Sequence, residues 1–366
     1  MSVGRSSSSS ARRHRWVPEP AVDPDVIPDA SHGGVPPGRY GEPVVDLSLS
    51  TNPFGPPPFL SEILADAGRD ATRYPDRSQK DLCAWIEEER GLDSGWVVAA
   101  GSASELLRAV ITGFGTGRNL LLPRFTYEEY QRIGLLSRAR VGRVPMPDFH
   151  FPPSTAAKHV QEESMVLLPN PGTPFAHYLS PKEFQPLVEA VERRHAILVV
   201  DESYLPFVRG GKSMAGVSPS IVTVSSWSKV LGTPGIPFGH ASGHPAVLKG
   251  IKAQLLPWSV GAVNRSLAVR ALATEGKWRA DSLAQVAALS EEVRKRLHAT
   301  TRANYFAVES VSARKLTQDL LKRGFAVRDL TALGLPRHIR FGVRTPEETR
   351  RFLDVLEELL GKVRAE

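Results

Sequence analysis

The chain has 366 residues, 46 Lys and Arg against 39 Asp and Glu, and a net charge of +7. That length allows a large core and two domains; one cysteine, Cys83, excludes a disulfide framework or a cysteine-rich metal site and suits a reducing cytoplasm. The basic residues are dispersed and no apolar run or leader pattern reaches membrane or secretory form, so neither a nucleic-acid partner nor a membrane is expected, and a cytoplasmic location is.

In chain order, residues 1–30 are rich in Ser, Arg and Pro, a composition that predicts a disordered arm. Ser31-His32-Gly33-Gly34 is a turn signal, and Asp46 to Ser50 alternates like a short strand. The stretch Thr51-Asn52-Pro53-Phe54-Gly55-Pro56-Pro57-Pro58 must be irregular, because consecutive prolines enter neither a helix nor a central strand. It either lines a pocket with Asn52 or links into a helix at Ser61 to Ala67. Arg73-Tyr74-Pro75-Asp76 precedes a helix from about Ser78 to Arg90. Trp96 to Ala99 reads as a strand, and Ala100-Gly101-Ser102-Ala103-Ser104 leads into a helix from Glu105 to about Thr112. A strand, a Gly-Ser turn and a helix N-terminus make an anion site, since free N–H groups face the turn. By itself this is a weak signal, as many such turns bind nothing.

Short apolar runs follow at Asn119 to Leu122, Met165 to Leu168, Ile197 to Val200 and Ile221 to Val224. An amphipathic helix, about Pro181 to Arg194, carries Phe184, Leu187, Val188 and Val191 on one face. Strands alternating with helices predict a parallel α/β sheet, with ligands beyond the carboxyl ends of its strands. Those ends are Gly101-Ser102, Arg124-Phe125-Thr126-Tyr127, Asn170-Pro171-Gly172-Thr173, Asp201-Glu202-Ser203-Tyr204 and Ser226 to Lys229. Alone, Ser226-x-x-Lys229 reads as a surface loop; with the other strand ends on one edge it reads as a site.

The chemistry that fits is pyridoxal phosphate, which needs a lysine for a Schiff base, a carboxylate at its ring nitrogen, an anion site and a flat neighbour. Lys229, Asp201, the Gly101-Ser102 turn with Ser226, and Tyr127 or Phe125 supply these. Other motifs fail. Gly210-Gly211-Lys212-Ser213 lacks the first glycine of a P-loop, because position 206 is proline, and no histidine pair fits a metal site. From Leu256 the pattern turns helical, about Val263 to Thr274 and Trp278 to Thr300, then α+β, with strands at Tyr305 to Glu309 and His338 to Val343 and helices at Leu316 to Arg323 and Pro346 to Arg364. This predicts a large domain over 50–259, a small α+β domain from 31–49 and 260–366, and the arm at 1–30.

These residues resemble the fold-type I pyridoxal-phosphate enzymes of the class I/II aminotransferase superfamily. The superfamily features are Asp201-x-x-Tyr204 and Ser226-x-x-Lys229. His32-Gly33-Gly34, Asn52-Pro53-Phe54-Gly55-Pro56 and Arg73-Tyr74-Pro75-Asp76 resemble the histidinol-phosphate aminotransferase branch, and within it the threonine-phosphate decarboxylases most closely. The resemblance implies a mostly parallel central sheet flanked by helices, a smaller α+β domain and a homodimer. It implies that Lys229 forms the Schiff base and moves protons, that Asp201 pairs with the ring nitrogen, and that Tyr204 hydrogen-bonds the ring hydroxyl. Gly101, Ser102, Ala103 and Ser226 would hold the cofactor phosphate, Tyr127 would stack on the ring, and Asn170 and Thr173 would complete the cofactor contacts. Tyr74 would reach the phosphate of the partner subunit. Arg340 would grip the substrate carboxylate, His32 and Arg328 a substrate phosphate, and Asn52 would line the pocket.

Two positions depart from the family pattern. Thr173 stands where an asparagine contacts the ring hydroxyl. Pro237 stands eight positions after Lys229, where an arginine grips the cofactor phosphate, and His240 replaces a common tyrosine. Losing a bidentate charge-assisted contact costs about 1.5–3 kcal/mol unless another group takes it over; His240, Lys212 and Arg209 are the nearby candidates. The expected function is decarboxylation of a phosphorylated amino acid such as threonine phosphate, serving the cobalamin side chain. The alternatives are an aminotransferase, on histidinol phosphate or in a specialised amino-acid pathway, and a ligand-binding relative without catalysis.

Overall fold

The computed structural model describes residues 27, 28, 35, 43–70, 72–273 and 276–365. His32, with Gly33 and Gly34, and nearly all of the 1–30 arm lie outside the described residues. The strands are β1 (Val45–Asp46), β2 (Val97–Ala100), β3 (Asn119–Pro123), β4 (Arg140–Val144), β5 (Met165–Pro169), β6 (Ile197–Asp201), β7 (Ile221–Ser226), β8 (Gly239–Gly243), β9 (Tyr305–Glu309), β10 (Phe325–Ala326), β11 (Arg328–Asp329) and β12 (His338–Gly342). The helices are α1 (Leu60–Asp70), α2 (Lys80–Arg90), α3 (Ala103–Gly115), α4 (Glu128–Leu136), α5 (Pro153–His159), α6 (Pro181–Arg193), α7 (Trp227–Leu231), α8 (Pro245–Gln254), α9 (Ala262–Ala273), α10 (Gly276–Leu297), α11 (Ala313–Lys322) and α12 (Pro346–Ala365).

Seven strands form the central sheet in the order β2-β8-β7-β6-β5-β3-β4, parallel except for β8. The near-continuous apolar runs of β5 and β6 are what a strand covered on both faces requires. One face packs Leu122, Val199, Val222, Val224 and Ala241 against Leu106, Val110 and Ile111 of α3. The other packs Leu168, Leu198 and Val200 against Phe184, Leu187, Val188 and Val191 of α6. The α6 stripe predicted from the sequence is therefore core, and emptying a site such as Phe184 costs about 3–5 kcal/mol. The outer strand β4, Arg-Val-Gly-Arg-Val, was not visible as a run, because an edge strand carries charge on its open side.

The C-terminal lobe holds the antiparallel sheet β11-β12-β9 and the parallel pair β1-β10. Phe306, Phe325, Phe341 and Phe352 form its core with Val286, Leu289 and Val293 of α10. Two expectations are corrected here. The strand of the stretch to Ser50 is confined to Val45–Asp46, with Leu47 still hydrogen-bonded to Ala326 and Gly342, and the Asp46 carboxylate accepts the Ser48 N–H at 2.9 Å in place of a further ladder bond. The composition shift near residue 260 is not a packing boundary. Leu267, Ala268 and Ala271 of α9 share a core with Phe59 and Ile63 of the α1 segment and Leu82 and Ile86 of α2, so the hand-over between lobes lies within α10. Among the described residues, no helix is long and apolar enough to cross a membrane.

Candidate active site

The carboxyl ends of the parallel strands open on one cleft of about 280 Å³ between the lobes. It is lined by Lys229, Asp201, Tyr204, Tyr127, Ala103, Thr173, Arg328 and Arg340, eight of the residues singled out from the sequence.

Lys229 is positioned by its backbone. β7 runs directly into α7, a short helix that ends at Gly232 with φ of 65°. A Cβ at Gly232 would sit 2.6 Å from the Asn52 carbonyl and 2.8 Å from Gly55 Cα, so the proline-rich segment packs flush on this helix. The Asn52 N–H donates to the Lys229 carbonyl at 2.8 Å, and Asn52 Nδ2 donates to the Val230 carbonyl and to Ser282 Oγ, both at 2.9 Å. Asn52 therefore clamps α7 from behind; Ser48 to Thr51 line the cleft in its place. The half-buried Lys229 projects its Nζ to 5.0 Å from the Tyr204 ring centroid, and that ring meets Tyr305 edge-on at 4.8 Å.

Asp201 is held at both oxygens. Tyr130 Oη donates to Oδ2 at 2.7 Å and the Ser203 N–H donates to Oδ1 at 2.9 Å. Burial, then the Asp201 charge, raises the Tyr130 hydroxyl well above the ordinary phenol value, so its proton stays on the donor side. Tyr127, edge-on to Tyr130 at 5.4 Å, is pushed up to about 12 by burial.

Across the cleft, β11 and β12 set Arg328 and Arg340 opposite each other in register. Arg340 is buried, and its Nη1 donates to Thr173 Oγ1 at 3.0 Å. Thr173 thus orients the arginine. Arg328 Nη2 lies 3.4 Å from Glu128 Oε2; burial, then Arg340, lowers its pKa to about 10, which still leaves it charged near neutrality.

Other expected residues stand elsewhere. Asn170 is buried with its amide spent on the Leu179 backbone, at 2.9 Å in both directions, because it must pin an irregular loop. Ser102 Oγ caps α3 by accepting the Glu105 N–H at 3.0 Å, and the Gly101 N–H is taken by Glu105 Oε2 at 3.1 Å. Ser226 Oγ lies 2.9 Å from Ser228 Oγ, and Ser228 is the one that lines the cleft. Tyr74 is exposed and stacks on Trp258 at 4.4 Å.

The candidates for taking over the charge missing at Pro237 are likewise corrected. His240 is fully buried, and burial first and then Arg90 lower its pKa well below the ordinary value, so it is neutral. The Lys212 backbone pairs with Tyr178 Oη, and Arg209 lies in a groove against α10. Among the described residues, only Lys229, Arg328 and Arg340 bring positive charge to the cleft. Ser104 and Thr126, named above only as part of a turn and a strand end, join the cleft wall, and Glu128 and Tyr130 are contributors that no motif singled out. Tyr130 was legible in principle, three residues after Tyr127 on the predicted strand-end segment, the spacing of one helical face.

Residues 42–356 match the family described as aminotransferase class I and II, and the chain belongs to that family. An aromatic amino acid aminotransferase of Thermobifida fusca is 26% identical over 346 residues, covering 88% of this chain and 94% of that protein. The histidinol-phosphate aminotransferase of the same organism is 27% identical over 371 residues, covering 93% and 97%. The histidinol-phosphate aminotransferase structure from Clostridium acetobutylicum superposes with a TM-score of 0.79 at 19% identity, covering 86% of this chain and 99% of that one, which shows the fold. The family and its fold depend on pyridoxal 5′-phosphate. The residues present fit that group. An amine and a carboxylate share the cleft, Ala103 and Ser104 bring the α3 N-terminus to it, and the buried Thr126 Oγ1 at its wall has no protein partner.

Proposed function

We propose that the chain is an aminotransferase that holds its amino donor by the α-carboxylate at Arg340. The observation that carries this is the convergence of Lys229, Asp201 and Arg340 on one cleft, with Arg340 buried and aimed by Thr173. The bound cofactor supplies a carbonyl carbon for the donor's amine and a ring that accepts electron density. Lys229 Nζ would take the proton from the donor Cα and give it up on the cofactor side rather than back to that carbon, which leaves the Cα at the level of a 2-oxo acid. Asp201, fixed by Tyr130 and Ser203, would keep the ring nitrogen protonated, and Tyr204 and Tyr127 line the cleft where the ring would lie. Decarboxylation draws on the same lysine and aspartate, but the relatives at 26% and 27% identity both carry aminotransferase names, which supports amino transfer. A homodimer is part of this reading, supported by the exposed apolar cluster of Tyr74, Leu256 and Trp258 on one surface.

The test is a half-reaction with no acceptor. Cofactor-loaded protein mixed with single amino donors should lose the absorbance band of the lysine-linked cofactor and release the matching 2-oxo acid, and Lys229→Ala should do neither. Release of carbon dioxide with the amine retained on the product would overturn the reading.

A further inference from the structure

We infer, on the reading of the site just given, that Glu128 sets the substrate class, reserving the Arg328 end of the cleft for an uncharged, aromatic or branched apolar side chain rather than a phosphorylated one. Glu128 is the first residue of α4, directly after Tyr127 on the cleft wall, and pairs with Arg328 of β11 in the other lobe. Its Oε2 lies 3.4 Å from Arg328 Nη2, with side chains only 19% and 10% exposed, so the pair is poorly screened.

The two guanidinium groups that face each other in register are thereby made unequal. Arg340 is met at Nη1 by a neutral hydroxyl, that of Thr173, which does not compete with a substrate carboxylate for it. Arg328 already faces a carboxylate. A phosphate dianion brought to Arg328 would stand beside Glu128 and have to displace it, and like charges at that range discriminate strongly between ligands. A phosphate is usually gripped by several cations or N–H donors, and the cation beside Arg328 across the strand pair, Arg340, is the one assigned to the substrate carboxylate. The cleft lining also includes Leu49, Leu333, Tyr127 and Tyr204, apolar surface that suits a flat or branched side chain.

The test compares wild type with Glu128→Gln, which keeps shape and removes charge, and with Glu128→Ala. Two unreactive ligands of the cofactor-loaded protein are titrated, 3-phenylpropionate and 3-phosphonopropionate, which share the carboxylate and differ at the far end. Wild type should favour the phenyl ligand, and both variants should tighten the phosphonate ligand by about tenfold or more while moving the phenyl ligand less than about threefold. Half-reaction kcat/KM for phenylalanine and phosphothreonine should shift in the same sense. A wild type that prefers the phosphonate, or variants that move both ligands alike, would overturn the inference. If the binding pattern holds and neither donor reacts, Glu128 keeps its role and amino transfer is the part that fails.

Discussion

His240 is fully buried on β8, and its Nδ1 accepts the Trp227 Nε1 hydrogen at 2.9 Å. Its pKa lies well below the ordinary 6.5, chiefly through burial. Between that depressed value and 6.5 the unfolded chain binds more protons than the folded one, so stability rises with pH in that window. The contribution is complete above 6.5 and is lost as the pH falls, by about 1.4 kcal/mol per pH unit. Urea unfolding followed at pH values from about 7.5 down to 5 should therefore show a steeper loss in wild type than in His240→Gln, whose amide can still accept from Trp227. Parallel pH dependence in the two proteins would contradict a neutral, buried His240. The same residue shows where residue-level reading stops. Position 240 was visible as a departure from a family pattern, but its neutrality depends on the strands and α2 around it, and no local sequence signal carries that.

At the scale of elements, β8 is the strand the sequence concealed. Gly239-His240-Ala241-Ser242-Gly243 has no apolar alternation, yet all five residues are buried between β2 and β7. Its smallness has a packing cause: a Cβ on Gly239 would lie 2.7 Å from the Ala103 nitrogen and 2.8 Å from the Ser225 carbonyl. Gly239 lets the α3 N-terminus close against the end of β7, where the cofactor phosphate is expected. Gly239→Ala should cost about 1–3 kcal/mol of stability and, at temperatures where the variant is folded, weaken pyridoxal phosphate binding to the apo-protein. Titration of wild type and variant decides this, and unchanged affinity would separate α3 from the phosphate site. The strands β5, β6 and β7 were legible because burial on both faces forces apolar β-branched runs. By contrast β4 and β8 were not, one being a charged edge and the other selected for the absence of side chains. The polar residues that end two of those runs, Asp201 and Lys229, line the cleft, while the Asn52 and Asn170 side chains hydrogen-bond to backbone, which no local pattern signals.

On the scale of the whole molecule, the cleft is assembled from both lobes. The large sheet contributes Lys229, Asp201 and Tyr127, and the C-terminal sheet contributes Arg328 and Arg340. The Arg340–Thr173 and Arg328–Glu128 contacts join the lobes at that cleft. On the outer surface, Tyr74, Leu256 and Trp258 are 78%, 72% and 43% exposed, an apolar cluster expected to be covered by a second copy. Light scattering should give twice the chain mass, and Trp258→Glu should yield a folded monomer of much reduced activity; a fully active monomeric wild type would contradict this. The central claim, amino transfer at this cleft, is tested most directly by following the nitrogen atom. With a 15N-labelled amino donor and an unlabelled 2-oxo acid acceptor, the label should appear in the amino acid formed from the acceptor, in equal amount to the oxo acid formed from the donor and without carbon dioxide. Label that stays on a decarboxylated donor would contradict the account.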